Sequence, residues 1–373
     1  ENRVLEYLIY RYRFKEYPKK KIDTDFPIYV LIEPVSSCNL KCPMCFQSDK
    51  SFIKKDFMGK MNFDLYKKII DECETNGTKA ITFGSRGEPT IHPQIKEMLE
   101  YASGKFLDIK LITNATKLTD ELIHTIFKCN LQQVVFSIDS EEKETYERLR
   151  KFAKYESVLS NVKKYNQIKK TYKNNKTVTR IAGVKVEKQQ NEASFYKFWS
   201  NYSDEVVFKE AFSRWDTYNN DVLEDFLEPC NYIWERMYVW FDGKVNPCDA
   251  DYKSYLSYGN VKNNTIKEIW NSEQYKKLKE THLNTIGITH GGYIASIIDS
   301  GAGTAAYRTT KNSPCVTVSL DIKFVGPTKL GDEIIGFVKI LKKTKSMVFL
   351  ICHLKSNEKI VASASGIWKI LSI

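Results

Sequence analysis

The sequence predicts an α/β fold built on a partial (β/α)6 barrel. A small region of β-hairpin and helix follows it, and then an α+β module of different character. Three observations predict this. Six short apolar runs alternate with segments of helical period over residues 27–210, and strands separated by helices pair in parallel through right-handed crossovers. Seven of the nine cysteines lie before residue 283. Residues 1–283 hold 42 aromatics and 8 glycines, whereas residues 284–373 hold 6 and 9, a shift that marks a module boundary near residue 283. The expected divisions are a leader over 1–26, the barrel over 27–212, the hairpin region over 213–281 and the last module over 282–373.

Composition bounds the function classes. A chain of 373 residues with 42% hydrophobic content can bury a sizeable core. It has no apolar run of about 18 residues, so no membrane helix is expected. The chain begins at Glu1, and "ENRVLEYLIYRYRFKEYPKKK" has neither an uninterrupted apolar stretch nor a small-residue cleavage site; a cytoplasmic location is the expectation. The net charge of +11 invites a nucleic-acid partner. However, Lys54–Lys55, Lys67–Lys68, Lys163–Lys164, Lys276–Lys277 and Lys342–Lys343 are scattered, as solvated surface would be. Nine cysteines in such a chain point to metal or redox work rather than disulfides.

The elements follow in order. "PIYVLIEP" (Pro27–Pro34) reads as a buried strand, and Leu65, Ile69 and Ile70 fall on one face of a helix over Asp64–Glu74. Next come a strand at Lys79–Gly84, a helix near Gln94–Ala102, a strand at Leu107–Thr113 and a helix at Asp120–Lys128. A strand at Leu131–Ile138, helices through Glu142–Lys170, a strand at Thr177–Val186, a helix near Ala193–Tyr202 and a strand at Glu205–Glu210 complete the series. In such a barrel the functional loops leave the C-terminal ends of the strands.

The loop after the first strand, "SCNLKCPMC", carries Cys38, Cys42 and Cys45 in a C-x3-C-x2-C spacing. Three thiolates on one loop can each hold an iron of a 4Fe–4S cluster and leave the fourth iron open. A structural zinc site is the alternative, and it would want a fourth Cys or His close by. This spacing, in this place, resembles the radical S-adenosylmethionine (SAM) superfamily, over about Pro27 to Glu210. "GSRGEPTIHP" offers Gly87, Glu88 and Pro89 where that family's Gly-Gly-Glu-Pro motif binds the methionine amino group, with Arg86 in place of the first glycine. Asn114 ends the third strand, Ser137 and Asp139 end the fourth, and Arg150 follows, at positions where family members place residues around the ribose and carboxylate. Gly183 and Val184 resemble the segment that flanks the adenine. The resemblance implies that SAM chelates the open iron and that one electron from the reduced cluster cleaves its sulfonium. The resulting 5′-deoxyadenosyl radical then abstracts hydrogen from a substrate, and the protein excludes water and oxygen. It also implies an external electron donor such as flavodoxin or ferredoxin.

"PCNYIWERMYVWFDGKVNPCDADY" places Cys230 and Cys248 around an aromatic strand (Tyr238–Phe241) and an Asp242-Gly243 turn. Residues alone allow a plain hairpin with two buried thiols. With "YGNVKNNTIKEIWNSEQYKKL" after it, the segment resembles the opening of a SPASM or twitch domain, whose relatives carry auxiliary iron–sulfur clusters. Further cysteines follow in those relatives. The resemblance thus offers Cys230 and Cys248 as metal ligands of an auxiliary iron–sulfur cluster, although the next cysteine here is Cys315 and two thiols are fewer than a 4Fe–4S ligand set.

From Asn284 the pattern predicts a glycine-rich loop, a long helix of small residues near Gly291–Arg308, and strands at Cys315–Val325, Ile334–Leu341, Met347–Leu354 and Ile360–Leu371. This module resembles a hotdog-fold acyl-CoA thioesterase of the phenylacetate type, on Asn284, Gly287, His290-Gly291-Gly292, Asp299 and "VTVSLDIKFVGPTKLGDEI". The resemblance implies Asp299 as general base or nucleophile, Asn284 and Thr317 as positioning groups, and the Gly291 backbone N–H polarising the thioester carbonyl; His290 is structural. Such modules act as homodimers, so a homo-oligomer is implied. Relatives have a helix and a strand before the Asn, where this chain has the lysine-rich "NSEQYKKLKE".

The sequence thus reads as a radical SAM enzyme acting on an unidentified sugar or peptide, with an incomplete SPASM-type region joined to an N-terminally truncated thioesterase-like module. A thioesterase on an inactive radical SAM scaffold and an RNA-modifying radical enzyme are the alternatives. The join reads as a gene fusion, frameshift scar or assembly chimera. Long-read sequencing of the encoding locus is expected to show a discontinuity near codon 282; an unbroken frame shared by orthologues would overturn that expectation.

Overall fold

A computed structural model describes residues 2–211, 230–279, 289, 291–328 and 332–371. They fall into two compact units, the first comprising residues up to 220 with Cys230–Lys276 and the second containing Lys277–Ile373.

The first unit opens with helix α1 (Asn2–Glu16) and alternates strictly thereafter. Strand β1 (Tyr29–Ile32) leads to α2 (Phe63–Thr75), β2 (Ala80–Phe83) to α3 (Ile95–Ala102), and β3 (Asp108–Thr113) to α4 (Asp120–Lys128). Then β4 (Gln133–Ser137) leads to α5 (Lys143–Leu149) and α6 (Tyr155–Lys169), and β5 (Val178–Lys185) to α7 (Glu192–Trp199) and β6 (Glu205–Glu210). The six strands lie in order, each parallel to the next. Side-chain alternation explains the sequence pattern. Strands β1 and β2 are buried at every position and read as continuous apolar runs. On β3, Ile109, Leu111 and Thr113 are buried while Asp108, Lys110 and Ile112 are half-exposed on the other face. Polar caps set the helix starts: Asn62 accepts from the backbone N–H groups of Asp64 and Leu65, and Thr119 from that of Leu122.

The hairpin region continues the same sheet. Strand β7 (Arg236–Val239) pairs in parallel with β1, and β8 (Lys244–Asn246) and β9 (Gly259–Asn260) follow antiparallel. The aromatic strand therefore ends at Val239, two residues before Phe241, because the Trp240–Lys244 turn begins there with Gly243 at φ +86°. Two short helices, α8 (Ile266–Trp270) and α9 (Glu273–Lys277), close the unit, the first on a Thr265–Glu268 capping box. The leader is largely helical: Tyr10 is buried with Tyr29, Ala80, Tyr238 and Trp240, and Phe14 packs against them.

One buried ion pair ties these parts together. Arg86, after β2, donates from Nε and Nη2 to the Glu33 carboxylate at 2.6 Å each, and from Nη1 to the Tyr252 carbonyl at 2.7 Å. Its guanidinium lies 4.2 Å from the Trp240 ring centroid. Arg86 is 3% exposed and Glu33 is 0% exposed. Glu33 also accepts the Phe241 N–H, so both charges of the pair are hydrogen-bonded, as burial at this position requires.

In the second unit, α10 (Gly291–Thr309) lies on an antiparallel sheet of β10 (Cys315–Phe324), β13 (Lys359–Ile370), β12 (Met347–Ser356) and β11 (Ile335–Lys343), in that spatial order. Ile294, Ile298, Ala302 and Ala306 recur every four residues and are buried against Val348, Leu350, Cys352, Leu354, Ala364 and Trp368. Asp299 and Ser300 fall on the exposed side of α10. This is an α+β layer of the hotdog kind, as the small-residue helix predicts.

Arg86→Met is expected to cost the first unit about 3–5 kcal/mol, because Glu33 is left buried without its partner. The double variant Arg86→Met/Glu33→Met should regain most of that loss in urea denaturation followed by circular dichroism. A double variant as unstable as the single would contradict this account of the pair.

Candidate active sites

The first site is assembled at the C-terminal ends of β1 to β5. None of the nine cysteines is in a disulfide. Cys38, Cys42 and Cys45 share the loop after β1, where Cys45 N–H donates to the Cys42 carbonyl at 3.0 Å and Ser48 closes the turn onto both Cys42 and Cys45 carbonyls. Two donors face sulfur: Leu40 N–H at 3.4 Å and Asn114 Nδ2 at 3.7 Å from Cys38 Sγ. Burial pushes the Cys38 thiol up to about 12, against the Leu40 N–H. It pushes Cys42 up to about 11, against the neighbouring Arg150 charge. Among the described residues no three His, Cys, Asp or Glu side chains close around a point the size of a single ion. Three loop thiols with N–H donors to sulfur suit a 4Fe–4S cluster, whose binding must then displace thiol protons.

The turn after β2 is pressed onto this loop. A Cβ on Gly87 would stand 2.0 Å from the Val35 carbonyl oxygen and 2.5 Å from that of Ser37, so no larger residue fits without moving the cysteine loop. Glu88 N–H donates to the Ser37 carbonyl at 3.0 Å, and Gln47 Nε2 bridges the Ser36 and Arg86 carbonyls at 2.6 and 2.7 Å. The buried Glu88 carboxylate accepts from Thr90 N–H and Oγ1, Thr113 Oγ1 and Asn114 N–H. Burial raises its pKa, and these four donors oppose that. Pro89 starts the short turn that carries Thr90. The Glu88 side chain is therefore occupied within the protein, and the backbone edge of residues 86–88 is what the turn has to offer a ligand.

Asn114 is held on both sides. Its Oδ1 accepts from Thr116 N–H and Oγ1, and its Nδ2 donates to Asn39 Oδ1 at 3.0 Å. Ser137, half-buried at the end of β4, pairs with Ala182 of β5 through its backbone, and its hydroxyl has no hydrogen-bond partner among the described residues. Asp139 differs. It is buried, accepts from Arg150 Nε and Nη2 at 2.6 and 3.0 Å, and takes the Val184 N–H at 3.1 Å. Its oxygens are spent on positioning Arg150 and the end of β5. Burial lowers and Asp139 raises the Arg150 pKa, with a net rise. Gly183 admits no side chain either, since a Cβ there would lie 2.6 Å from the Ile138 carbonyl oxygen.

Sequence reasoning missed the support beneath the loop. Phe46 stacks on Tyr252 at 5.1 Å between centroids, with Phe52 edge-on to both. Asp49 accepts from Tyr252 Oη at 2.9 Å and pairs with Lys253 at 3.0 Å. Burial would raise its carboxyl, but donors from Ser51, Lys253 and Tyr252 prevail and hold it well below the usual range. The only advance signal was the aromatic content on both sides of the hairpin. Within that region Cys248 is half-buried and pushed up to about 11 by burial and Asp249, with Cys230 nearby and exposed. The residues around them hold no third thiol.

The comparisons match this geometry. Residues 32–198 fit the family model "Radical SAM superfamily", residues 230–288 "Iron-sulfur cluster-binding domain" (SPASM), and residues 286–362 "Thioesterase superfamily". The chain carries radical SAM, SPASM and thioesterase-superfamily domains. The tungsten-containing aldehyde ferredoxin oxidoreductase cofactor-modifying protein of Pyrococcus furiosus is 25% identical over 66% of this chain and 82% of its own length. Mouse acyl-coenzyme A thioesterase 13 is 35% identical over 23% of this chain, which spans 63% of that relative. The structure of Streptococcus suis SuiB bound to S-adenosylmethionine superposes with a TM-score of 0.53 at 15% identity, over 73% of this chain and 72% of that one, and shares its fold. The radical SAM and SPASM domains imply a 4Fe–4S cluster and SAM as cofactors. No described helix is long and apolar enough to cross a membrane.

In the thioesterase-superfamily module, Thr317 Oγ1 donates to Asp299 Oδ1 at 2.7 Å. Both line an open depression of about 430 Å³ with Gly303, Tyr307, Cys315 and Trp368. Gly291 is the first residue of α10. Asn284, Gly287 and His290 lie outside the described residues.

Gly87→Ala should shift the cysteine loop and lower the iron retained after anaerobic reconstitution, with the fold kept by circular dichroism. Asp49→Asn should flatten the acid limb of unfolding. The folded-state pKa of Asp49 lies below its unfolded value, so its contribution is present above about pH 4 and lost as pH falls. An unchanged acid limb would remove Asp49 from the support of the loop.

Proposed function

We propose that Cys38, Cys42 and Cys45 hold the cluster, and that SAM lies over it against the backbone edge of residues 86–88, with Asn114, Ser137 and Arg150 around its polar groups. The observation that carries this reading is the convergence of three thiols, two sulfur-facing donors and a side-chain-free glycine on one loop. When bound, the cluster and SAM supply reductive cleavage and a carbon radical. The chain's own residues do the rest. Gly87 and Gln47 fix the spacing between the loops, Asn114 orients Cys38, and Asp139 aims Arg150 at the edge of the site. Asp139 is a positioning residue here rather than a contact.

The substrate is a peptide or sugar. The half-exposed face of the sheet supports a polar substrate: Arg180 and Gln133 both donate to the Glu205 carboxylate, at 2.7 and 3.3 Å, and Lys110 stands on the same face of β3 as Asp108. An acidic redox protein supplies the electron, and the enzyme works in the cytoplasm. The Asp299–Thr317 pair supports a second activity, thioester hydrolysis. There Asp299 serves as the base or nucleophile, Thr317 holds it in place, and the Gly291 N–H at the start of α10 faces the carbonyl. A homo-oligomer through this module is part of the same reading.

Anaerobically reconstituted protein with dithionite should form 5′-deoxyadenosine from SAM. Cys42→Ala should abolish it, and Ser137→Ala should weaken SAM binding while iron content stays. Formation undiminished in Cys42→Ala would overturn the assignment. Asp299→Asn should lower hydrolysis of an acyl-CoA by about 10²–10⁴-fold, and equal rates would remove the second activity.

A further inference from the structure

A reductively activated site needs a route for its electron, and the surface beside the cysteine loop has features that the site itself does not use. Phe152 is 77% exposed and sits at φ +76°, a conformation that costs a residue with a side chain about 1–2 kcal/mol. The turn that imposes it is over-determined. Ala153 N–H donates to the Arg150 carbonyl at 2.9 Å, and Lys41 N–H, from within the cysteine loop, donates to the Lys151 carbonyl at 3.2 Å. Arg150 is meanwhile locked on Asp139. A single residue, Lys151, thus separates a guanidinium held at the site from an aromatic ring held in solvent.

The rim is basic. Lys151 and Lys154 flank Phe152 and are exposed. On the other side of the loop, Asn39 Nδ2 donates to Thr116 Oγ1 at 2.8 Å, and the next residue is the exposed Lys117. Among the described residues Lys117, Lys151 and Lys154 enter no ion pair, whereas nearby acids are already taken, Asp120 by Lys164 and Glu156 by Lys143. An exposed aromatic ring flanked by two cations, with a third cation on the other side of the cysteine loop and all outside any ion pair, complements an acidic surface with an apolar centre.

We propose that Phe152 with Lys117, Lys151 and Lys154 forms the docking face for a small acidic one-electron donor of the ferredoxin or flavodoxin class. The proposal rests on the reading that Cys38, Cys42 and Cys45 hold the cluster. In the step it serves, the reduced donor loses one electron and the oxidised cluster gains it; no bond forms or breaks at the interface.

The test is isothermal titration of the reconstituted protein with an acidic flavodoxin at low and moderate salt. Wild-type binding should weaken as salt rises, and Lys151→Glu/Lys154→Glu should weaken it by about tenfold or more at low salt. Phe152→Gly, which keeps the turn and relieves its strain, should also weaken binding while raising thermal stability. In parallel, flavodoxin-driven 5′-deoxyadenosine formation should fall with affinity, and dithionite-driven formation should stay at the wild-type rate. Absence of flavodoxin binding, or charge-reversed protein that binds as wild type does, would overturn the docking face. Binding lost on charge reversal, with no 5′-deoxyadenosine from either reductant, would keep the docking face and overturn the radical chemistry instead.

Discussion

The Arg86–Glu33 pair is the constraint on which the first unit depends. Glu33 ends the strand that leads into the cysteine loop, Arg86 begins the turn that carries Gly87 and Glu88, and Tyr252 belongs to the region after the hairpin. A single guanidinium bonds the first and third of these from the second and stacks on Trp240 besides. With both partners fully buried, the pair tolerates only one arrangement, since any shift leaves a charge without its hydrogen bonds. The replacement of a motif glycine by arginine therefore does not intrude on the site. Its side chain joins the hairpin region to the barrel, and its backbone remains at the loop edge.

From that anchor the remaining contacts sort into supports and groups left open. Glu88, Asp139 and Asn114 Oδ1 have their acceptor capacity taken by the protein itself. In the proposed arrangement Asn114 Nδ2, Ser137, Arg150, the loop thiols and the backbone edge of residues 86–88 serve the cofactors. The hairpin region has a clear mechanical role here, because Tyr252 and Lys253 brace Phe46 and Asp49 immediately after Cys45. That role needs no metal, which explains how a SPASM-type region with two cysteines can still serve the barrel.

Much of this was legible in the sequence, and the reason is periodicity. The six strands and their helices show as alternating periods because each strand has its own buried face, and helix Asp120–Lys128 agrees with expectation at both ends because Thr119 caps it. The cysteine loop was legible because its three thiols lie close together in sequence. The leader helix was not, since its buried face is made of Tyr10 and Phe14 amid lysine and arginine. Nor was the partnership of Arg86 with Glu33, 53 residues apart, or of Phe46 with Tyr252, because contacts between distant segments leave no local pattern. Asp139 was placed with Ser137 and Arg150 around the ribose and carboxylate; in the structure its own carboxylate accepts from Arg150 and the Val184 N–H, a pairing the sequence does not display. In the second module the resemblance singled out Asp299 and Thr317 in separate roles, whereas their hydrogen bond and the place of Asp299 on the exposed side of α10 come from the structure.

The central claim is that this chain holds its iron at one loop and uses the second cysteine region as a brace. Iron quantification after anaerobic reconstitution tests it most directly, in the wild type, in Cys230→Ala/Cys248→Ala, and in Cys38→Ala/Cys42→Ala/Cys45→Ala. The account predicts about four irons per chain in the first two proteins and none in the third. About eight irons in the wild type, falling by half when Cys230 and Cys248 are removed, would contradict it.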